Sequence, residues 1–287
     1  LVAVLVVARI LIFREELPAI TVAIVSIWFL GGLIIFTVGV VGFYVGRIYN
    51  ETKHRPNVVV REVFNPPPIA PPQPKPDIVK DEDHLEDLAL ILDDIPPDLP
   101  RRGLIHIGAH EGQEVEAYFT AGFERLILIE ANPVLSAKLL EKFAHDDRIR
   151  IFDTAIGDTT GKTTLHIHTS RRGSTEPASV LPMKEFNRIV TALHTPESVE
   201  VPISTLDKLL DENDVDRSQY NFLNIDIQGA EMQALRGAAS TLATMDAVIC
   251  EVALLELYEG QTLEAGLVNH FATRGFRRRR TIYHTMY

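Results

Sequence analysis

"LIHIGAHEGQ", residues 104–113, decides how this chain folds. An apolar run enters Gly108, a polar turn follows, and Gly112 closes the turn before the next periodic segment. Glycines directly after a buried strand either let a backbone approach a nucleotide-like ligand or simply permit a tight turn. The spacing is G-x-x-x-G, not the G-x-G-x-x-G of dinucleotide folds, and no Gly-Lys-Ser/Thr of a Walker A loop is present. On these ten residues alone, both readings stay open.

Outward from this stretch, strand-like and helix-like patterns alternate. "GLIHIG", "RLILIE", "IRIFDTAIG", "YNFLNIDI" and "DAVICEV" are short runs rich in Ile, Val, Leu and Phe. The segments after Gly112, Pro133, Gly229 and Gln261 repeat apolar residues at helical intervals. The alternation predicts an α/β fold, with a mostly parallel sheet and helices on both faces. Such sheets bind ligands at the carboxyl ends of their strands, so the residues that end each strand are the site candidates.

Those residues are acidic. Glu130, in "LILIEANP", ends the second strand 22 residues after Gly108, where an acid accepts hydrogen bonds from ribose hydroxyls. Asn132 and Pro133 beside it are also helix-start signals, so a capping network is the alternative. Asp153 ends the third strand, ahead of "AIGD" at 155–158. Asp226 and Glu231 bracket the glycine turn of "NIDIQGAE", 224–231, and Glu251 ends the fifth strand in "ICEV". Carboxylates at such places bind hydroxyls or amines, coordinate a metal, act as a base, or cap helices.

Taken in order, "IGAHEGQ", "IEANP", "AIGD", "TLDKLL", "LNIDIQGAE" and "EV…LYEG" resemble the FkbM family of S-adenosylmethionine-dependent methyltransferases, over roughly residues 103–276. The resemblance implies a Rossmann-like methyltransferase sheet and methyl transfer to an oxygen of a sugar, polyketide or related small molecule. By family position, Gly108, Ala109 and Gly112 form the cofactor loop. Glu130 holds the ribose, the Asp153–Asp158 region borders the adenine, and Asn132 and Asp226 complete the cofactor-binding set. Asp226 and Glu231 fall in the family's D-x-E-G-x-E stretch. Three positions depart from it: His106 stands where Asp is common, Asn224 where Lys is, and Gln228 where Glu is. The family fold ends in a strand hairpin, yet only "FRRRRTIYHTMY" follows the last helix. One strand fits there and a second does not, as in a chain cut short.

Methyl transfer from a sulfonium is a direct displacement, so alignment of the acceptor carries much of the rate. An alcohol acceptor gains from a base. Asp226, Glu251 and His110 are the catalytic candidates, against readings as a cap, a structural acceptor and a solvated loop residue. His166 and His168 alternate in "TLHIHTS"; strand alternation explains them without a metal, and no metal is assigned. "SRRGSTEPASV", 170–180, reads as a loop over the site. Two other functions compete. One is an NAD-dependent oxidoreductase, whose glycine signature is absent. The other is a tethered scaffold whose methyltransferase-like domain has lost catalysis.

The first fifty residues are almost all apolar, and the chain opens on Leu1, as a fragment or processed form would. "AITVAIVSIWFLGGLIIFTVGVVGFYVG", 19–46, has no charged residue and exceeds the roughly 20 residues that cross a bilayer as a helix. "LVAVLVVARILIF", 1–13, reads as the cut end of a second span or as an interfacial segment. Arg47, Lys53, Arg55 and Arg61 follow the long span, which by the positive-inside tendency places the C-terminal domain in the cytoplasm. The expected layout is a membrane region over 1–50, a linker over 51–78 and a methyltransferase domain over 79–287. The linker holds the polyproline-like "NPPPIAPPQPKP"; an acidic amphipathic helix within 80–95 opens the domain. A tethered enzyme would meet a small-molecule or lipid-linked acceptor.

The formal net charge is −11, which argues against nucleic acid as the partner. The local run Arg277–Arg280 reads as a solvated strand or chain end, or as an anion contact. Cys250, the one cysteine, cannot form an internal disulfide and reads as a small core residue.

Overall fold

The computed structural model describes residues 19–52, 59–61, 79–80, 84–169, 175–184, 197–279 and 284–285. The chain divides into two units, Leu1–Glu51 with Tyr287, and Thr52–Met286.

In the first unit the apolar run forms one helix, α1 (Ala19–Thr52), with Ile27, Trp28, Phe29 and Phe36 exposed. Among the described residues, no helix is long and apolar enough to cross a membrane. The transmembrane placement of 19–46 and the membrane localisation with a cytoplasmic C-terminal domain are therefore corrected. The orientation argued from Arg47, Lys53, Arg55 and Arg61 falls with them. The expected segment 1–13 lies outside the described residues, as do 65–76 and 170–174.

The second unit is built on a seven-stranded sheet. Its strands are β1 (Val59–Arg61), β3 (Gly103–Ile107), β4 (Arg125–Glu130), β5 (Ile149–Asp153), β10 (Phe222–Ile225), β11 (Ala247–Cys250) and β12 (Phe276–Arg278). Their order is β12-β1-β11-β10-β3-β4-β5. The pairs among β11, β10, β3, β4 and β5 are all parallel, so the sheet is mostly parallel, as the alternating pattern predicted. A two-residue pairing of β2 (Val79–Lys80) with β13 (His284–Thr285) lies apart from it.

Every side chain of β3, β10 and β11 is buried, which is why these strands read as continuous apolar runs. Period-two alternation sends their residues to two separate cores. Ile105, Ile107, Ile127, Ile129, Leu223, Ile225 and Val248 pack with α5 (Leu206–Glu212), α6 (Glu231–Arg236), α7 (Ala239–Thr244) and α8 (Glu264–Ala272). Leu104, Leu126, Leu128, Phe222 and Ile249 pack with α2 (His84–Asp93), α3 (Val115–Thr120) and α4 (Pro133–Lys142). The acidic stretch 80–95 thus supplies a covering helix whose Leu88, Ile91 and Leu92 are buried.

Between β5 and β10 the chain makes a second, four-stranded sheet from β6 (Ala155–Ile156), β7 (Gly161–Thr169), β8 (Thr175–Ser179) and β9 (Glu197–Ser204), in the order β6-β9-β7-β8. His166 and His168 lie on β7; His166 bonds Ser198 and His168 is fully buried. The described part of the 170–180 stretch is strand β8 rather than a plain loop.

One edge of the main sheet differs from the sequence reading. The segment read as linker contributes β1, which runs antiparallel to β11 on one side and to β12 on the other. The second strand on this side of the sheet, which the C-terminal residues did not provide, is thus supplied from the N-terminal side of the domain. Arg277 and Arg278 are exposed on β12; Arg278 pairs with Glu264 and Arg279 with Asp94.

Candidate active site

Four adjacent strands, β11, β10, β3 and β4, bring the predicted residues to one edge of the sheet. The turn after β3 is fixed first. Gly108 has φ 91°, and the N–H groups of Gly108 and Ala109 both donate to the Ile129 carbonyl at 2.9 and 3.1 Å. A Cβ on Gly108 would lie 1.8 Å from the Asp226 carbonyl oxygen. A Cβ on Gly112, at φ 66°, would meet the Phe143 ring and Leu139 within 2.9 Å. Packing therefore demands both glycines, whatever the turn binds.

His110 takes φ 48° without being glycine. Its backbone N–H donates to Glu130 Oε2 at 2.8 Å, and the Asn132 N–H donates to Glu130 Oε1 at 2.8 Å. Burial pushes the Glu130 carboxyl up; the N–H donors of Asn132 and His110 pull the other way, followed by the His110 side chain and the Ala131 N–H. Glu130 is thus the anchor of both loops, with lone pairs left for a ligand. Asn132 is the N-cap of α4: its side-chain oxygen accepts from the Val134 N–H at 3.0 Å and Pro133 follows at the first helical position. The capping alternative holds for Asn132. Asp153 lies opposite Glu130 in the β4–β5 register, and its side chain is exposed. A cavity of about 530 Å³, lined by Gly112, Val115, Phe119, Phe143 and Arg148, opens beside this turn, and neither Asp226 nor Glu251 lines it.

The second half of the edge is a carboxylate pair. Gln228, at φ 53°, donates from Nε2 to Asp226 Oδ1 at 2.7 Å and to Glu251 Oε2 at 2.9 Å. Its backbone carbonyl accepts from Ser179 Oγ at 2.7 Å, and Tyr258 Oη donates to its Oε1 at 3.4 Å. Glu231 is buried one turn further on and accepts from the Gly229 N–H. Burial raises its pKa to about 7 against those backbone donors, with the Asp226 charge pushing the same way. Cys250 is buried beside these acids, and desolvation holds its thiol well above the usual range. Asp226 and Glu251 are therefore brought together. His110 lies on the Glu130 side of the turn.

The family model described as "Methyltransferase FkbM domain" matches residues 106–278. The chain belongs to the FkbM methyltransferase domain family. Among curated relatives, the 2-O-methyltransferase NoeI of Sinorhizobium fredii is 26% identical over 170 residues, 55% of this chain and 66% of NoeI. A bactoprenol glucosyl transferase of Shigella phage SfV is 43% identical over 51 residues, 18% of this chain and 17% of that protein. The chain thus spans less than a fifth of the phage protein and just under two thirds of NoeI. The crystal structure of PRMT6-SAH superposes with a TM-score of 0.31 at 8% identity, over 54% of this chain and 38% of that one.

Two of the departures from the FkbM pattern are one structural feature. His106 and Asn224 are register partners across β3 and β10. Tyr118 from α3 joins them: its hydroxyl lies 3.3 Å from His106 Nδ1 and accepts from Asn224 Nδ2 at 2.7 Å. All three are buried, so this is a polar network inside the core. The third departure, Gln228, is the bridge between Asp226 and Glu251. Sequence reasoning missed Ser179 and Tyr258; the only signal for Tyr258 was its place in "LYEG".

Proposed function

We propose that this chain is an S-adenosylmethionine-dependent O-methyltransferase whose acceptor is a hydroxyl of a sugar or related small molecule. The observation that carries the reading is the order of groups along the sheet edge. Glu251 and Asp226 stand at the ends of β11 and β10, and the Glu130-anchored turn stands at the ends of β3 and β4. The first pair suits an acceptor and the second suits a nucleoside. His110 Nδ1 supports the fit: it is buried with no hydrogen-bond partner among the described residues, so a ligand at this turn could satisfy it. Glu130, the backbone of 108–112 and His110 would hold the cofactor.

Bound there, S-adenosylmethionine supplies an electrophilic methyl group. Asp226 and Glu251 orient the acceptor oxygen and take its proton as the oxygen is methylated. The likeness to a 2-O-methyltransferase supports oxygen as the acceptor atom. The short likeness to a bactoprenol glucosyl transferase supports a lipid-linked sugar as one form of acceptor.

Calorimetric titration of the full chain with S-adenosylmethionine and S-adenosylhomocysteine tests the reading. Saturable one-to-one binding is expected. A folded chain that binds neither overturns it.

A further inference from the structure

We propose that Gln228 is a positioning residue that sets Asp226 and Glu251 as a two-point clamp, and that the acceptor is a vicinal diol such as a pyranoside. This inference rests on the methyltransferase reading of the same edge and names its substrate class.

Gln228 spends both of its N–H donors on the two carboxylates, at 2.7 and 2.9 Å. A planar NH₂ group directs its two protons about 120° apart, which holds the two acceptor oxygens about 5 Å from one another. Two neighbouring hydroxyls about 3 Å apart, each donating at about 2.7 Å, bridge that gap. A single hydroxyl reaches one carboxylate only. The amide is neutral, so it joins the two acids without adding a third charge.

Separate elements hold this side chain in place. Ser179, at the end of β8 in the inserted sheet, donates to the Gln228 carbonyl, and Ser179 in turn accepts from the Leu181 N–H. Tyr258, beyond β11, donates to the Gln228 amide oxygen. The chain from 182 to 184 is tied to the Tyr258 segment: Glu259 N–H donates to the Pro182 carbonyl and Lys184 N–H to the Leu257 carbonyl. Gly229 lets this happen, since a Cβ there would meet the Tyr258 ring at 2.8 Å. Gln228 itself sits at φ 53°, a region that side chains disfavour. Four polar contacts and an unfavoured backbone at one residue define one geometry for the acid pair, and that geometry selects the acceptor.

The test is calorimetry on the full chain saturated with S-adenosylhomocysteine. The probes are methyl α-D-mannopyranoside and methyl α-D-glucopyranoside, with cis and trans diols, and their 2-deoxy and 3-deoxy analogues. At least one parent glycoside is expected to bind about tenfold or more tighter than either analogue, the size of one lost bond to a charged acceptor. Gln228→Leu is expected to bind S-adenosylhomocysteine as the wild type does, yet bind parent and analogues equally. A merely structural role would shift melting temperature and cofactor affinity without erasing selectivity between sugars. The proposal is overturned if S-adenosylhomocysteine binds but the deoxy analogues match their parents, if no glycoside binds, or if Gln228→Leu keeps the preference. Failure of S-adenosylhomocysteine to bind at all overturns the underlying methyltransferase reading instead.

Discussion

A 2.8 Å hydrogen bond runs from the backbone N–H of His110 to Oε2 of Glu130 and closes the β3 turn onto the end of β4. The other carboxylate oxygen takes the Asn132 N–H at the same distance. One buried side chain therefore satisfies a donor in each of two loops. Glu130→Ala leaves both donors without this acceptor, at a cost of about 1–3 kcal/mol for each that stays unsatisfied. Glu130→Ala is expected to lose both stability in urea and affinity for S-adenosylhomocysteine, whereas Glu130→Gln retains one acceptor oxygen and loses less of each. Equal stability of wild type and Glu130→Ala would contradict the anchoring role.

Gly108 makes a poor test of cofactor binding, because it is first a packing residue. Any Cβ there lands on the Asp226 carbonyl, and the backbone sits at φ 91°. Gly108→Ala is expected to destabilise the fold by roughly 3 kcal/mol or more, from overpacking and left-handed strain together. Chemical denaturation of the variant checks this. A shift of only a few tenths of a kcal/mol would mean that the β10 turn moves aside freely.

Glu231 gives the fold a pH dependence of definite sign. Burial raises its carboxyl from 4.5 to about 7. The folded state thus keeps a proton that the unfolded chain releases near 4.5. Its contribution to stability is full below pH 4.5 and is lost as pH rises through about 7. Glu231→Gln, which keeps an oxygen for the Gly229 N–H, is expected to flatten the stability profile between those values and to be the more stable form at pH 8. Parallel profiles for the two proteins would refute this.

Deletion of residues 1–78 removes β1 from between β11 and β12. Register pairs to Val248 and Ala247 on one side, and to Arg278, Arg277 and Phe276 on the other, are lost. With a net worth of about 1 kcal/mol for each ladder bond, the loss is on the order of 2–4 kcal/mol. Hydrogen exchange at Val248 and Phe276 is expected to accelerate in the shortened chain. Unchanged protection at both would show that β1 does not brace this edge.

Much of the domain was legible in the linear chain. The alternation of buried runs with helical spacing gave the α/β class, because parallel strands covered on both faces must be apolar throughout. The capping alternative read from Asn132 and Pro133 in "EANP" is present, while the tie of Glu130 to two loops was not read there. Glu130, Asp226 and Glu251 were singled out because ligands in such sheets meet strand ends. The apolar run 19–46 was read by composition as a membrane span, and the described helix does not bear that out. The linker reading of 51–78 concealed β1, since three residues are too few to carry a strand period.

The sequence by itself determined the five parallel strands, their helices, and the acids that end them, for these lie in the spacing of near neighbours. Only the tertiary structure decided that Gly108 yields to the Asp226 carbonyl, that Tyr118 joins His106 to Asn224, and that Gln228 bridges Asp226 to Glu251. Most of these partners are separated by 20 to more than 100 residues, and their meeting depends on strand order and register. Local periodicity encodes neither; the packing of the two cores across the sheet does.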